Sequence, residues 1–179
     1  MTGEEIYKFI EKIYPITRSI TGDGVRNTFK EIKKILPNLK LYEVPTGTEI
    51  FDWTVPDEWN IRDAWVQDEH GNKVIDFNKN NLHVVNYSEP VDKWVSFEEL
   101  NDHLYSIPGK PDAIPYVTSY YNRKWGFCIT DRDRKKLRNC RYRVCIDSDL
   151  APGSLTYGEL VIPGKTDKEV LLSTYTCHP

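Results

Sequence analysis

The chain has 179 residues, of which 39% are hydrophobic and 28% are charged, and its net charge is −3. These values are typical of a globular protein with one domain or two small ones, and such a weak, mixed charge does not predict a nucleic-acid-binding surface. No apolar run approaches the roughly 18 residues that a membrane-spanning helix needs. Glu4 and Glu5 stand where a signal peptide would be basic and then apolar, so the sequence predicts a cytoplasmic protein without nucleic-acid or membrane partners.

Two helices and a strand are predicted at the start of the chain. Thr2 and Glu5 form a capping-box pattern ahead of apolar residues at helical spacing. A turn-rich loop follows, and Asp23 is the predicted N-cap of a second helix, which ends at Pro37. A short strand is predicted over residues 39–45. This order of elements is typical of one edge of a layered α/β domain.

A β-rich region is predicted from about residue 49. Aromatic and β-branched segments alternate there with short turns, at the spacing of hairpins in an antiparallel sheet. Two of the strands are predicted over residues 74–77 and 82–87, each directly after a polar turn.

One short helix interrupts this β-rich region. Ser96 and Glu99 form a second capping-box pattern at its start. A connector rich in proline and glycine follows the helix, and residues 116–130 return to an aromatic, strand-like pattern. The charged run over residues 131–139 predicts one helical turn or a solvated loop.

Three more strands are predicted toward the end of the sequence. Residues 142–147 and 155–164 have the pattern of a hairpin. Residues 169–175 follow as a third strand, which is apolar enough for burial on both faces.

The changes of pattern along the chain predict its domain organisation. A β-rich domain, residues 49–137, is predicted to be inserted into a discontinuous α/β domain made of residues 1–48 and 138–179. The sequence contains no internal repeat and no low-complexity tract.

The cysteines do not indicate a structural zinc site. Cys128, Cys140, Cys145 and Cys177 include no C-x-x-C pair, which ribbon-type zinc sites need. Without a secretory signal, disulfides are not predicted either. Cys128 and Cys145 lie in apolar segments and are predicted to be small core residues.

His178 has the context of a metal ligand, because it directly follows the last predicted strand. Open α/β sheets place their sites at the carboxyl ends of strands, and imidazole is the commonest side-chain metal ligand. Two interpretations are open: His178 is a ligand, or it is a terminal residue with no role. Cys177 is expected to face the core, since adjacent residues of an extended chain point to opposite sides. His70, His83 and His103 are predicted to be solvated or structural.

Other catalytic patterns are missing from the sequence. It contains no G-x-S-x-G, no H-E-x-x-H and no phosphate-binding glycine loop. Asp147 and Asp149 are close together, but they lie in a turn-like segment where aspartate serves local backbone hydrogen bonds. We therefore do not predict that they form an acid/base pair.

Several long segments resemble a bacterial family of aminopeptidase-like proteins that are often associated with polysaccharide-biosynthesis gene clusters. These segments cover nearly the whole chain: YPITRSITGDGVRNTFKEIKKIL, YEVPTGTEIFDWTVPDEWNIRDAWV, NLHVVNYSEPV, IPYVTSYYNRKWGFC and GELVIPGKTDKEVLLSTYTCHP. The resemblance implies the fold class, α/β, in which this chain is the N-terminal part of a three-layer α/β/α zinc-exopeptidase-like domain with an inserted β-rich domain. It also implies metal-assisted hydrolysis of N-terminal peptide bonds.

The same resemblance implies a role for His178, which matches a zinc ligand of the family. Two zinc ions that share a bridging water are implied for the full-length protein. The bridging aspartate, the acidic general base and the other ligands of the family have no counterpart among these 179 residues. The expectation is therefore that this chain is the N-terminal part of a larger enzyme.

The substrate contacts have two interpretations. The aromatic segment from Tyr116 to Phe127 includes Tyr120, Tyr121 and Arg123, which are candidates for contacting a peptide or an aminoacyl-type small molecule. The preferred interpretation is that these aromatic residues pack the insert against the main domain. The alternative function is a catalytically silent, peptidase-like protein whose β-rich insert binds a peptide or a saccharide. The oligomeric state is left open.

Overall fold

The computed structural model describes residues 2–120 and 122–176. It combines short helices with small sheets. The helices are α1 (Gly3–Ile13), α2 (Asp23–Ile35), a 3-10 helix (Asn81–His83), α3 (Phe97–Asp102) and α4 (Asp131–Arg134). The strands are β1 (Lys40–Pro45), β2 (Glu49–Ile50), β3 (Trp53–Thr54), β4 (Glu58–Asp68), β5 (Lys73–Asp76), β6 (Val91–Val95), β7 (Leu104–Tyr105), β8 (Phe127–Cys128), β9 (Tyr142–Ala151) and β10 (Ser154–Glu159).

The chain divides into two compact units. The terminal unit consists of Met1–Glu58 and Ala151–Pro179, and the central unit is the continuous segment Trp59–Leu150. The predicted insertion of residues 49–137 between residues 1–48 and 138–179 stays a prediction.

The two helices of the terminal unit begin in different ways. Thr2 and Glu5 form the predicted capping box at the start of α1, and this prediction is confirmed. The predicted N-cap role of Asp23 is wrong, because the N-cap of α2 is Gly22, which makes no side-chain cap bond and has a φ of 95°. Only glycine adopts this backbone conformation easily. The adjacent loop lies so close that a Cβ atom on Gly24 would be 1.8 Å from the carbonyl oxygen of Thr17.

The terminal unit contains two small sheets of two strands each, β1-β10 and β2-β3. β1 pairs with β10 in antiparallel fashion, with Lys40 opposite Glu159. The core beside it is small and contains Val25, Phe29 and Leu39, with Ile32, Leu41 and Leu160 packed against it. The predicted hairpin of residues 142–147 with 155–164 is wrong, because β10 pairs with β1 whereas β9 pairs within the central unit. Sequence alternation predicts strands but does not select their partners.

The central unit contains a four-stranded sheet in the order β5-β4-β9-β6. Buried residues alternate with exposed ones along β9, as expected for a sheet with one face on a core. Tyr142, Val144 and Ile146 point into this core. Leu100 of α3 is also fully buried, and Ser96 caps this helix as predicted, although the Glu99 carboxylate pairs with Lys93.

Two predicted strands of the central unit are largely absent. Residues 82–87 form part of the 3-10 helix and then two isolated bridges, Val84 to Phe127 and Asn86 to Thr118. Tyr87 has a φ of 66°, which no regular strand allows. Of residues 116–130, only Phe127 and Cys128 lie in a strand. The charged run that follows begins with the single helical turn α4, which is one of the two predicted alternatives.

Residues 160–176 contain neither helix nor strand. Val170, Leu171 and Leu172 are 87%, 89% and 90% exposed, so the predicted strand at residues 169–175, buried on both faces, is wrong for this structure. A strand needs the backbone groups of a neighbour, and no strand of the described chain pairs with this segment. No helix within the described ranges has the length and apolar character needed to cross a membrane.

Candidate functional site

The residues predicted for a metal site lie outside the described ranges. His178 and Cys177 belong to the last three residues, which the structure does not describe. Within residues 2–120 and 122–176, no group of three or more His, Cys, Asp or Glu residues is arranged to hold a metal ion.

Two of the other histidines have structural contacts. Nδ1 of His83 lies 2.8 Å from the carbonyl oxygen of Cys128, and Nδ1 of His103 lies 2.8 Å from that of Trp125. The His103 ring also stacks on the Trp125 indole, with ring centroids 3.6 Å apart. Both contacts agree with the structural role predicted for these residues. The side chain of His70 is 69% exposed.

The sequence predicts that Asp147 and Asp149 lie in a turn, but both lie on the exposed face of β9. Both carboxylates accept hydrogen bonds from the Arg62 guanidinium. These bonds hold the pKa of each carboxyl group below its ordinary value. Two carboxylates that both pair with one arginine stay ionised, so neither suits the role of a general acid at neutral pH.

The described cysteines in the sheets are poor candidates for a nucleophile. Burial raises the pKa of the Cys128 thiol to about 12. Burial also raises the pKa of Cys145. Because the thiolate is the reactive form, neither residue is activated at neutral pH.

The strongest candidate for a ligand site is where two irregular segments of the central unit meet. Residues 116–120 run beside residues 86–88, and two backbone bonds join them. The Asn86 amide donates to the carbonyl oxygen of Val117, and the Ser119 amide donates to that of Asn86, both at 2.9 Å. We call the side chains of Asn86, Tyr116 and Tyr120 the tyrosine site.

A chain of polar groups connects the three side chains of the tyrosine site. Nδ2 of Asn86 donates to the Tyr116 hydroxyl at 2.9 Å. The Tyr116 and Tyr120 hydroxyls lie 3.2 Å apart, and either can be the donor. Tyr116 is 40% exposed, so one end of this hydrogen-bonded series of side chains is open to solvent, whereas Asn86 is buried.

Aromatic packing supports the tyrosine site from below. The Tyr120 ring meets the Tyr87 ring edge-on, with centroids 4.9 Å apart and planes at 90°. Tyr87 in turn stacks on Trp59 at 5.9 Å. The Trp59 indole N–H donates to the carbonyl oxygen of Ser88 at 3.0 Å. A ring held by such neighbours has few alternative positions, which lowers the entropic cost of binding.

Three buried serines hold the backbone beneath the site. The Ser119 hydroxyl lies 3.0 Å from the carbonyl oxygen of Tyr87, to which it donates. Ser148 donates to the carbonyl oxygen of Ser88 at 2.8 Å, and Ser88 donates to that of Val85 at 2.6 Å. These bonds surround Tyr87, whose positive φ costs roughly 1–3 kcal/mol. Strain of this kind concentrates at ligand sites and active sites.

One buried hydroxyl beside the site has no hydrogen-bond partner among the described residues. It is Oγ1 of Thr118, which lies between Val117 and Ser119 on the same segment. Buried polar atoms are nearly always paired, and an exception needs an explanation such as strain or a missing ligand. The positive φ of Tyr87 and the unpartnered hydroxyl of Thr118 are thus two independent observations that indicate a ligand site at the same place.

The tyrosine site includes one of the predicted substrate-contacting residues. Tyr120 lies in it, Arg123 is exposed three residues further along, and Tyr121 lies outside the described ranges. Tyr116 begins the aromatic segment that the sequence offers as a candidate for substrate contact, whereas Asn86 is not among the predicted residues. Their aromatic and polar character was visible, but the bridge between Asn86 and Thr118 joins segments about thirty residues apart, and nothing in the sequence indicates it.

The site's chemistry combines hydrogen-bonding groups with aromatic surface. Phenol and amide groups both donate and accept hydrogen bonds. The segments 86–88 and 116–120 contain no acidic residue, no histidine and no cysteine. The tyrosine site therefore offers hydrogen bonds in both directions and an aromatic contact surface.

Comparison with protein families finds a match for the central unit. A family model described as "Domain of unknown function (DUF2172)" matches residues 58–149, just over half of the chain. The chain belongs to the DUF2172 family. The residues that match the DUF2172 model coincide almost completely with the central unit, Trp59–Leu150, and they include the whole tyrosine site.

Two known proteins, both from Clostridium acetobutylicum, extend the similarity beyond the DUF2172 residues. One is named "Putative polysaccharide biosynthesis protein with aminopeptidase-like domain"; it is 55% identical over 178 residues, which are 99% of this chain and 41% of the relative. The other is a crystal structure titled "putative peptidase", with 55% identity and a TM-score of 0.96 over 99% of this chain and 42% of that chain. The predicted resemblance to aminopeptidase-like proteins is confirmed. The chain spans less than half the length of either protein.

Proposed function

We propose that this chain is part of a zinc-dependent aminopeptidase that hydrolyses N-terminal peptide bonds or related amides. The observation that carries the proposal is the 55% identity, over nearly the whole chain, to a protein named for its aminopeptidase-like domain. The structural neighbour titled "putative peptidase" supports it. Because the chain spans 41% of the relative, the activity is proposed for the full-length protein.

The proposed catalytic domain is a three-layer α/β/α sandwich of the zinc-exopeptidase type. His178 is proposed as one zinc ligand, and the general base and the remaining ligands are proposed to come from outside this chain. Within the described residues, no group of three or more His, Cys, Asp or Glu residues is arranged to hold a metal ion. Tyr120, Tyr121 and Arg123 are proposed to contact a peptide or aminoacyl-type substrate, and the protein is proposed to be cytoplasmic.

Metal analysis of the full-length protein tests this proposal. The His178→Ala variant should lose at least one zinc ion per chain, and hydrolysis of aminoacyl p-nitroanilides should fall by roughly 100-fold or more. His70→Ala is the matched control, because the His70 side chain is largely exposed. Its zinc content should equal that of the unmutated protein. Equal zinc content in all three proteins would show that His178 is not a ligand.

The second candidate function is ligand binding by a protein that has the peptidase fold but no hydrolase activity. Two observations favour it: the tyrosine site joins hydrogen-bonding groups to aromatic surface, and the relative's name refers to polysaccharide biosynthesis. In this function the β-rich part binds a peptide or a saccharide. A full-length protein that retains a ligand but hydrolyses no aminoacyl substrate, with or without added zinc, would support it.

A further inference from the structure

The open end of the tyrosine site combines two kinds of contact surface. Tyr116 is 40% exposed as a residue, and its hydroxyl is already hydrogen-bonded to Tyr120 and Asn86. A ligand that meets this surface can contact the ring face and exchange hydrogen bonds with the hydroxyls. Tyrosine supplies such contacts with little loss of conformational entropy, because its side chain has only two rotatable bonds.

We infer that the tyrosine site binds a saccharide, with Tyr116 and Tyr120 as its contact residues. A sugar ring has an apolar face of C–H groups, which fits an aromatic ring, and a rim of hydroxyls that donate and accept hydrogen bonds. The phenol groups of the site have the same dual capacity. This inference deepens the second proposed function, ligand binding by the β-rich part, and does not require hydrolase activity.

A peptide ligand fits the site less well. A free N-terminal amine needs an acceptor that is preferably charged, and segments 86–88 and 116–120 contain no acidic residue. An extended peptide is commonly bound by adding a strand to an open sheet edge. The two segments of the site instead bond to each other through one isolated bridge, Asn86 to Thr118, and lie outside the named strands.

The support beneath the site suits a fixed contact surface. Tyr120 rests edge-on against Tyr87, and the strained backbone of Tyr87 is held by the Ser119 hydroxyl. The Thr118 hydroxyl is buried without a partner in the described chain, as happens where a structure favours ligand geometry over local stability. A rigid support keeps the two hydroxyls, which lie 3.2 Å apart, in a fixed position for a ligand.

An array of immobilised saccharides tests the inference. The full-length protein is applied to neutral and acidic oligosaccharides, with immobilised tri- and tetrapeptides on the same surface, and the affinity for the best saccharide is then measured by calorimetry. We expect retention on saccharides and not on peptides. Tyr116→Phe and Tyr120→Phe each remove one hydroxyl and should weaken binding roughly 2- to 12-fold. Tyr116→Ala also removes the ring and should weaken it by roughly 10-fold or more.

Tyr42→Phe is the matched control. Tyr42 is a similarly exposed tyrosine of the terminal unit whose hydroxyl lies 3.1 Å from a Glu159 carboxylate oxygen, so its variant should bind the saccharide like the unmutated protein. Melting temperatures of all variants confirm that they fold. Retention on peptides alone, or retention on no ligand, would overturn the inference. It would also be overturned if the Tyr116 and Tyr120 variants bound the saccharide as tightly as the unmutated protein. Zinc content and aminoacyl hydrolysis are measured on the same preparations, so failure of the enzyme proposal is seen separately.

Discussion

The terminal and central units bury their apolar residues to very different extents. In the terminal unit, α1 has no buried residue, and its apolar side chains Ile6 and Ile10 are 46% and 50% exposed. In the central unit, Phe127, Ala64 and Val144 are fully buried. The central unit thus encloses a core of its own, and the terminal unit leaves a large part of its apolar surface open.

This difference shows what an amphipathic pattern can and cannot predict. The apolar stripe of α1 correctly predicts a helix and the side that would face a core. It does not predict that a partner for this side lies within the described residues. Exposed apolar surface of this kind is typical of interaction sites. Because the two units bury their apolar residues to different extents, equivalent mutations should change their stability by different amounts.

The largest effect is expected for truncation of a central-unit core residue. Phe127→Ala removes a fully buried aromatic ring and should lower the free energy of unfolding of the central unit by about 3–5 kcal/mol. Leu171→Ala, at a position that is 89% exposed, should change stability by less than about 0.5 kcal/mol. Urea denaturation of the full-length protein measures both. A large loss with Leu171→Ala would mean that the segment around it is covered in the full-length protein.

A smaller effect is expected where the terminal unit is tightly packed. A Cβ atom at Gly24 would meet the Thr17 carbonyl oxygen at 1.8 Å, so Gly24→Ala must displace the backbone. Overpacking of this kind costs about 1–3 kcal/mol. Gly3→Ala is the control, since nothing lies within 4 Å of a Cβ atom there. Hydrogen exchange of the α2 amides should accelerate in the first variant and not in the second. Unchanged exchange in both variants would show that the loop adapts freely.

Removing one helix-capping hydrogen bond from each unit should affect the stability of the two units differently. Ser96 accepts a bond from the Glu99 amide, and its helix buries Leu100, so Ser96→Ala should destabilise the central unit by about 1 kcal/mol. Thr2→Ala removes the corresponding bond from α1, where no residue is buried. We expect α1 to fray while the core around Phe29 keeps its protection. Site-resolved hydrogen exchange distinguishes these outcomes, and equal losses in both units would contradict the comparison.

The parts of the fold that sequence predicted correctly are those that depend on local order. α1 and α2 follow from apolar spacing within single segments, and α4 follows from one short charged run. The partner of β10 is β1, more than one hundred residues earlier, and no local pattern encodes this pairing. The strand predicted at residues 82–87 failed because buried polar contacts hold Tyr87 at a positive φ.

The candidate site was predictable only in part for a related reason. The aromatic segment around Tyr120 is visible in the sequence as a cluster, and its pattern favours packing over ligand contact. The hydrogen bond from Asn86 to Tyr116 depends on two segments that meet in space, about thirty residues apart along the chain. His178, which carries the enzyme proposal, lies outside the described residues, so its role stays a prediction.

The smallest effects are expected at ion pairs, where the two units can be compared by their response to pH. In the central unit, hydrogen bonds from Arg62 hold the pKa of Asp147 and Asp149 below its ordinary value. In the terminal unit, bonds from Lys12 and then Lys34 lower the pKa of Glu31. A carboxyl group with a lowered pKa stabilises the folded state above its unfolded pKa, near 4, and this contribution is lost as the pH falls through the folded pKa.

Carboxyl titrations followed by NMR test both pairs with matched variants. Arg62→Met should raise the midpoints of Asp147 and Asp149 toward the ordinary value of about 3.9 and leave Glu31 unchanged. Lys12→Met should raise the midpoint of Glu31 and leave both aspartates unchanged. The second result matters more for the comparison, because the 2.6 Å contact of Lys12 with Glu31 joins α1 to α2. If Lys12→Met leaves the Glu31 midpoint where it was, α1 does not hold this position in solution, and the terminal unit is looser than the described contacts imply.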